Sequence, residues 1–410
     1  MGFWSRLIGR GATKSAGDLD LIRALLGSRE SATGRSINVS SALEVTTVLR
    51  CVGVLADGVA TVPLKLLRKG ADGRRQDAAD HPLYSLLHDA PNEWQDSLQF
   101  RETLVLHLAL TGNAFVLVVR VRGQIAELIP IEPGRVTVSR GPDMRLTYKV
   151  TPEGGGAAEE LPASAVWHLR GASWSSWRGL ETVKLAREAI GLALATEEAH
   201  ARLHRNGVQS TGAYSVEGTL SAEQYTSLRE HIRKFFAGTE NAGAPLILDR
   251  AAKWQPLRMS GVDAEHLATR RHQVEEICRA FGVMPIMVGF TDKASTYASA
   301  EQMFLAHAVH TIRPWHRRFE ATIRRSLLTE DERRAGLYPK FFDAELMRGA
   351  SKDRGEFYAR ALGAGGSPAW MEINEVRGFE DMDDVDWGNG QPVPPNATRP
   401  DGGAEGGSDE

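Results

Sequence analysis

The sequence predicts an α+β fold in which a first half of short strands and helices gives way to long helices bracketing a compact insert. Three observations predict it. Between residues 114 and 169, five short apolar segments are separated by Gly, Pro and Asp. From 181 to 205 the pattern turns helical and small, with Ala186, Ala189, Gly191, Ala193, Ala195, Ala199 and Ala201. A second long helical segment then stops at GVMPIMVGF, broken at Pro285.

The chain has 410 residues, enough for two or three domains. Apolar residues make up 42% and charged residues 25%, which excludes wholesale disorder, a collagen and a disulfide scaffold. Cys51 and Cys278 lie far apart in apolar-periodic segments without metal-ligand spacing, so they read as small buried hydrophobes. Such cysteine usage fits synthesis in a host cytoplasm. The start, MGFWSRLIGR, lacks the apolar run of a signal peptide, and Arg6 stands where a myristoylation site needs Ser or Thr. Apolar runs such as 115–119 are far too short to span a bilayer, so no membrane partner is expected. Residues 380–410 hold nine acidic residues and one basic, against −3 for the whole chain. The remainder therefore carries about +5, too diffuse for a protein that grips DNA by neutralising phosphates.

Residues 1–36, rich in Gly, Ser and Arg, read as a loosely ordered arm. A helix is predicted from Ser40 or Ser41 to about Ala60, with Glu44 as capping-box partner and Pro63 beyond its end. Residues 62–68 alternate as a strand, and a turn follows at 70–73. A short helix at 81–88 is closed by Ala90-Pro91-Asn92, and a longer one covers 98–110. Strands are predicted at 114–121, 124–131, 135–139, 145–150 and 165–169, with a turn at Gly154-Gly155-Gly156. Residues 37–175 thus form one α+β domain.

The helix at 181–205 stops at Asn206-Gly207. Its small side chains let backbones come close, more often than packing on a single domain requires. The insert holds a strand near 213–216, a helix from the Ser221 cap to Phe236, and strands near 245–248 and 253–257. Helix returns at 264–281, with Leu267, Val274, Ile277 and Phe281 in a heptad-like stripe. After the polar TDKAS, a third long helix at 297–327 sets Phe304, Ala308, Ile312, Trp315, Phe319 and Ile323 on one face, kinked at Pro314. Final helices fall between about 343 and 375, and residues 381–410 read as an acidic disordered tail.

Catalytic signatures are missing from the sequence. No Gly-Lys-Ser or Gly-Lys-Thr occurs, so the phosphate-cradling loop of a motor is absent, and there is no GxSxG elbow. His307 and His310, with His316 nearby, are better read as polar helix positions than as zinc ligands. Asp381, Asp383, Asp384 and Asp386 read as a solvated charge run rather than a magnesium site. No catalytic residue, cofactor or metal is predicted, and the chain reads as a non-enzyme.

Several stretches together resemble the portal proteins of long-tailed bacteriophages and related gene-transfer particles. They are LHLALTGNAF at 106–115, LIPIEPGRV at 128–136 and AREAIGLALATEEAHARLHRNG at 186–207. They continue with APLILDRAAKW from 244, PLRMSGVDAEHLATRRHQVEEICRAFGVMPIMVG ending at 289, NEVRGFEDM from 374 and GNGQPVPPN from 388. The likeness spans roughly 37–396, and its specificity lies in order and spacing. WSSWRGLETV at 174–183 replaces the Gly/Ser/Pro-rich turn common before the first stem helix.

The resemblance implies a wing at 37–180 and stem helices at 181–205 and 262–287, the latter including the Pro-broken joint. It implies a clip at 206–261, a channel loop at 288–297, a long kinked helix returning to the wing at 298–339, and a crown at 340–380. It further implies a ring, a dodecamer, at one vertex of the virion, with double-stranded DNA passing through it weakly held. Partners implied are the terminase large subunit, a head-tail adaptor and the major capsid protein. Thr291, Asp292, Lys293, Ser295 and Thr296 become the DNA-channel loop, with Lys293 its one cation. Arg229, Arg233 and Lys234 on the clip helix become the docking surface for motor and adaptor. Charges such as Glu188, Glu197, Arg202, Glu265 and Arg270 become candidates for pairing between subunits. Two rival readings are a ring-forming connector or scaffold protein without a channel loop, and a metal-dependent nuclease.

Overall fold

The computed structural model describes residues 29–70, 75–206, 212–215, 221–236, 253–256, 262–290, 297–342, 351–364, 368–380 and 382–390. The chain divides into two compact units, 1–342 and 343–410.

The first unit opens with the antiparallel hairpin β1 (Arg29–Glu30) and β2 (Ser36–Ile37). The reading of 1–36 as a loose arm therefore fails for 29–36, whose turn buries Ser31. Two helices, α1 (Val39–Leu43) and α2 (Thr46–Ala60), replace the single one expected from Ser40 or Ser41. Asn38 is the cap: its side chain accepts the Ser41 N–H at 2.9 Å while Ser41 Oγ accepts the Asn38 N–H at 3.0 Å. Glu44 is thus not the capping partner but ends α1, and extended Val45 turns its side chain into the core. Along α2, Val48, Cys51, Val52, Leu55 and Val59 are fully buried.

β3 (Leu64–Lys69) pairs with β4 (Arg75–Asp77), a strand too short and polar to read from alternation. The turn expected at 70–73 falls, but for Gly70, outside the described residues. α3 (Pro82–His88) is capped by His81, and α4 (Ser97–Thr111) by Asp96, which accepts the Gln99 N–H at 2.7 Å. Buried Arg101 on α4 donates to the Ala60 carbonyl at 2.8 Å and the Leu87 carbonyl at 3.2 Å, satisfying the ends of α2 and α3.

Six strands follow: β5 (Asn113–Val121), β6 (Gln124–Ile131), β7 (Val136–Arg140), β8 (Leu146–Val150), β9 (Glu159–Pro162) and β10 (Val166–Arg170). They form two antiparallel sheets of order β10-β5-β6 and β7-β8-β9. The alternation of β5 separates two cores. Ala114, Val116 and Val118 face the helices, whereas Phe115 and Leu117 face the second sheet. β9 escaped sequence reading because its only apolar signal is Leu161, which lies opposite Tyr148.

The expected helix at 181–205 is divided at Ala186 into α5 (Thr182–Leu185) and α6 (Arg187–Asn206). The insert contains β11 (Gly212–Ser215), α7 (Ala222–Phe236) and β12 (Lys253–Pro256), with β11 and β12 antiparallel. Ser221 Oγ accepts the Gln224 N–H at 3.2 Å, so the expected Ser221 cap is present. The strand expected near 245–248 lies outside the described residues. α8 (Val262–Phe281) ends at Gly282, not at Pro285. Gly282 is left-handed at φ 68°, and the Val283 N–H reaches the Cys278 carbonyl at 3.0 Å, a Schellman closure. Pro285 instead opens a 3₁₀ turn, Pro285–Val288.

The third long helix is three pieces: α9 (Tyr297–Ala306), a π-helical segment His307–Ile312, and α10 (Arg313–Ser326). Pro314 falls in the first turn of α10, where its missing N–H is accommodated by the wide π turn before it. A π turn rotates the face by about 100° for each added residue. Ile312, Phe319 and Ile323 are accordingly buried while Phe304 is 51% exposed. α11 (Glu330–Arg334) leads into β13 (Leu337–Phe341), which pairs with β3 to give the sheet β13-β3-β4.

The second unit contains α12 (Ser351–Ala361) and α13 (Ile373–Phe379). Buried Asn374 exchanges hydrogen bonds with Val385, at 2.8 and 2.9 Å, and donates to Asn389 at 2.9 Å. This brings the NEVRGFEDM and GNGQ stretches together. It also corrects the reading of 381–410 as wholly disordered, because Asp386–Gly388 form a 3₁₀ turn against Asn374.

Candidate functional site

The predicted loop residues Thr291, Asp292, Lys293, Ser295 and Thr296 lie outside the described residues, but both flanks of the loop are described. On one flank α8 packs across α2, with Ile277, Cys278 and Phe281 in its core. Cys51 Sγ and Cys278 Sγ stand 3.8 Å apart, although 227 positions separate them in sequence. Their hydrogen bond and the burial of Cys51 push that thiol up, away from ionisation. On the other flank, the π segment presses Ile312 on Gly58 of α2, where an added methyl would stand 2.6 Å from Ile312 Cδ1. Thr311 Oγ1 then donates to the Gly282 carbonyl at 3.1 Å, joining the flanks to each other. Gly282 and the π segment are therefore tied to each other and to one core helix, α2.

A polar knot holds the approach to α5 and α6. Gly112, left-handed at φ 72°, caps α4, and its carbonyl accepts the Gly171 N–H at 2.9 Å. Buried Asn113 Oδ1 accepts the Gly179 N–H at 2.9 Å and a bond from His168 Nε2 at 3.1 Å. Burial pushes the His168 pKa down to about 3, so the neutral ring donates from Nε2 while Nδ1 takes the Tyr148 hydroxyl at 3.3 Å. The Gly179 backbone lies so close to Gly112 that no side chain fits between them. This contact fixes the 174–183 segment, whose unusual composition had left its path open. Both residues lie in stretches singled out in the sequence, Asn113 in LHLALTGNAF and Gly179 in WSSWRGLETV, but nothing local there signals that they meet.

Farther along, α6 meets α8 through a hydrogen bond from Gln273 Nε2 to Thr196 Oγ1 at 3.1 Å. The β1–β2 hairpin clasps its other side: Ala32 N–H donates to Glu188 at 2.8 Å, and Arg35 pairs with Glu198. Arg202 also pairs with Glu198. Glu188 and Arg202, listed by charge as candidates for neighbouring subunits, thus have partners inside the chain. Beside the exposed charges Glu188, Glu197 and Arg202, α5 and α6 leave an apolar stripe uncovered. Leu185 is 65% and Leu192 42% exposed, and Ala199 is exposed too. The seven-residue spacing of these three was legible in sequence. Leu185 also borders a cavity of about 430 Å³ lined by Leu180, Phe281, Trp315 and Arg318.

Of the predicted docking residues, Arg229 is exposed on α7; Arg233 and Lys234 belong to the same helix, and their side chains lie outside the described residues. The three helix histidines do not converge. His310 is exposed, whereas His316 is buried and stacks on Phe341 at 4.2 Å between ring centroids. His307, read as a simple polar position, is instead buried by the π turn, and burial lowers its pKa.

Comparison with known proteins matches residues 46–381 to the family described as phage portal protein. The "Probable portal protein" of Streptomyces phage phiC31 is 32% identical over 416 residues, covering 95% of this chain and 88% of its own length. The "Portal protein" of Enterobacteria phage HK97 is 29% identical over 358 residues, covering 85% and 81%. A chain in the neck of an empty GTA particle has the same fold, with TM-score 0.61 and 24% identity over 91% of this chain and 100% of that one.

Proposed function

Because this chain belongs to the phage portal protein family, we propose that it is one protomer of a ring at a single capsid vertex, the channel for DNA packaging and ejection. The observation that carries the ring is the exposed stripe Leu185, Leu192 and Ala199, which repeats every seven residues and has no partner surface within the described residues. Burying a leucine fully is worth about 1.5–3 kcal/mol, so two per interface, repeated around a closed ring, reward assembly. The family resemblance supports a ring of twelve.

Within that ring, residues 291–296 serve as the channel loop. The packing of the Pro285–Val288 turn on α2, just before them, supports this, because a segment that contacts moving DNA needs a rigid base. The diffuse charge of the body suits sliding rather than gripping. The insert carrying α7 serves as the clip that meets the terminase motor and later the head-tail adaptor, with Arg229, Arg233 and Lys234 in contact. Negative-stain images and native mass spectrometry of the purified chain test the reading. Annular particles are expected, with Leu185→Glu plus Leu192→Glu giving folded monomers. A wild-type chain that stays monomeric at every concentration and salt overturns it.

A further inference from the structure

A groove of about 730 Å³ opens between α10 and the β13-β3-β4 sheet, on a face used by neither the loop joint nor the stem stripe. Arg317 and Arg324 project from one face of α10, two turns apart, with Ala321 between them. Lys69, Arg75 and Lys340 face them from the sheet. Among the described residues, five cations therefore share one groove with a single carboxylate, Glu320. That carboxylate is already divided: it takes Arg317 at 2.8 Å, Lys340 at 3.6 Å and the Phe341 N–H at 2.9 Å. Lys69, Arg75 and Arg324 have no ion pair among the described residues.

The strand register makes the crowding worse. Lys69 stands directly opposite Arg75 across the β3–β4 ladder, and like charges so placed destabilise a sheet. An isolated fold gains nothing from such an arrangement, whereas a bound polyanion relieves it. The lining also excludes some polyanions. Its uncharged members are Ala321, Pro339 and Tyr338, so no large aliphatic pocket awaits the anchor of an acidic peptide. No Asn or Gln that would read adenine edges is among the described lining residues, and spread cations without neutral base-reading partners suit phosphate oxygens.

We propose that this groove binds the phosphodiester backbone of double-stranded DNA without regard to sequence, as a site separate from the channel loop. The choice of DNA among polyanions rests on the portal reading; the groove itself does not. The expected contacts are phosphate oxygens with Lys69, Arg75 and Arg324.

The test is fluorescence anisotropy of a labelled random-sequence duplex with the full chain, over a fourfold rise in salt. Wild type is compared with Lys69→Ala/Arg75→Ala/Arg324→Ala and with a control, Arg140→Ala/Arg145→Ala/Lys149→Ala, which removes equal charge from an exposed sheet. Each phosphate contact contributes about −0.9 to the salt slope, so wild type should lose roughly 40-fold more affinity across that range than the groove variant. The control should keep the wild-type slope. Equal slopes for wild type and a folded groove variant overturn the proposal, as does an equal loss of slope in the control. Polyglutamate that binds the groove more tightly than duplex would assign it to an acidic protein segment and overturn the choice of DNA. Ring formation is scored on the same samples, so failure of the portal reading shows independently of failure of the groove.

Discussion

Gly179→Ala probes the knot that precedes α5. Gly179 is not left-handed, so alanine adds no backbone strain there and the substitution tests contact alone. The new methyl would lie 2.7 Å from the Gly112 carbonyl carbon and 3.2 Å from its Cα, with the carbonyl oxygen nearer still. All three are backbone atoms, which cannot rotate away as a side-chain tip would. Separating the strands threatens two buried hydrogen bonds, Gly171 N–H to Gly112 O and Gly179 N–H to Asn113 Oδ1, both 2.9 Å. Overpacking costs about 1–3 kcal/mol and each weakened bond about 1 kcal/mol, for a total of about 3–5 kcal/mol. Gly123→Ala is the contrast: its position is open but left-handed at φ 86°, so the cost should be about 1–2 kcal/mol. Urea unfolding of the two variants beside wild type measures the difference. Gly179→Ala within 0.5 kcal/mol of wild type, roughly the range of neutral surface changes, would refute the close contact.

His168 is buried and His107 half-buried, and desolvation pushes their pKa values down to about 3 and about 4, so both rings are neutral. The unfolded chain takes up their protons first, so stability is full above about pH 6.5 and falls as pH drops toward those values. Each residue should remove about 2–3 kcal/mol between pH 7 and 4.5, and His168→Gln should flatten that slope in urea titrations. Diamide should join Cys51 to Cys278 in an intramolecular disulfide, seen as a faster band on a non-reducing gel. Closing so long a loop should stabilise by up to about 5 kcal/mol, and no cross-link would contradict the 3.8 Å approach. Arg233→Glu with Lys234→Glu should leave rings intact and weaken pull-down of motor or adaptor; unchanged binding to both removes α7 from the docking surface. Replacing Asp292, Lys293 and Thr296 should preserve rings but lower DNA content per particle. Lys293→Glu should be worse than Lys293→Ala, because it sets a negative charge near phosphates, and equal filling of both and wild type would mean the loop does not contact DNA.

The sequence by itself determined the elements whose cause is local. Strand alternation placed β5 to β8 within a residue or so, and Ser221 marked the start of α7, because period and capping act within a few residues. It also supported the portal family, since order and spacing of stretches survive in one dimension. Tertiary structure decided what depends on residues far apart in the chain. Gly282 rather than Pro285 stops α8, because the Schellman bonds form before the proline is reached. A π turn at His307–Ile312 sets which face of the third helix is buried, since Ile312 must seat on Gly58. The 3.8 Å approach of Cys51 and Cys278 and the basic groove between α10 and the sheet have the same origin. Each is a distance between segments, fixed only when α2, α8, α10 and β13 pack, and no pattern along a single segment encodes it.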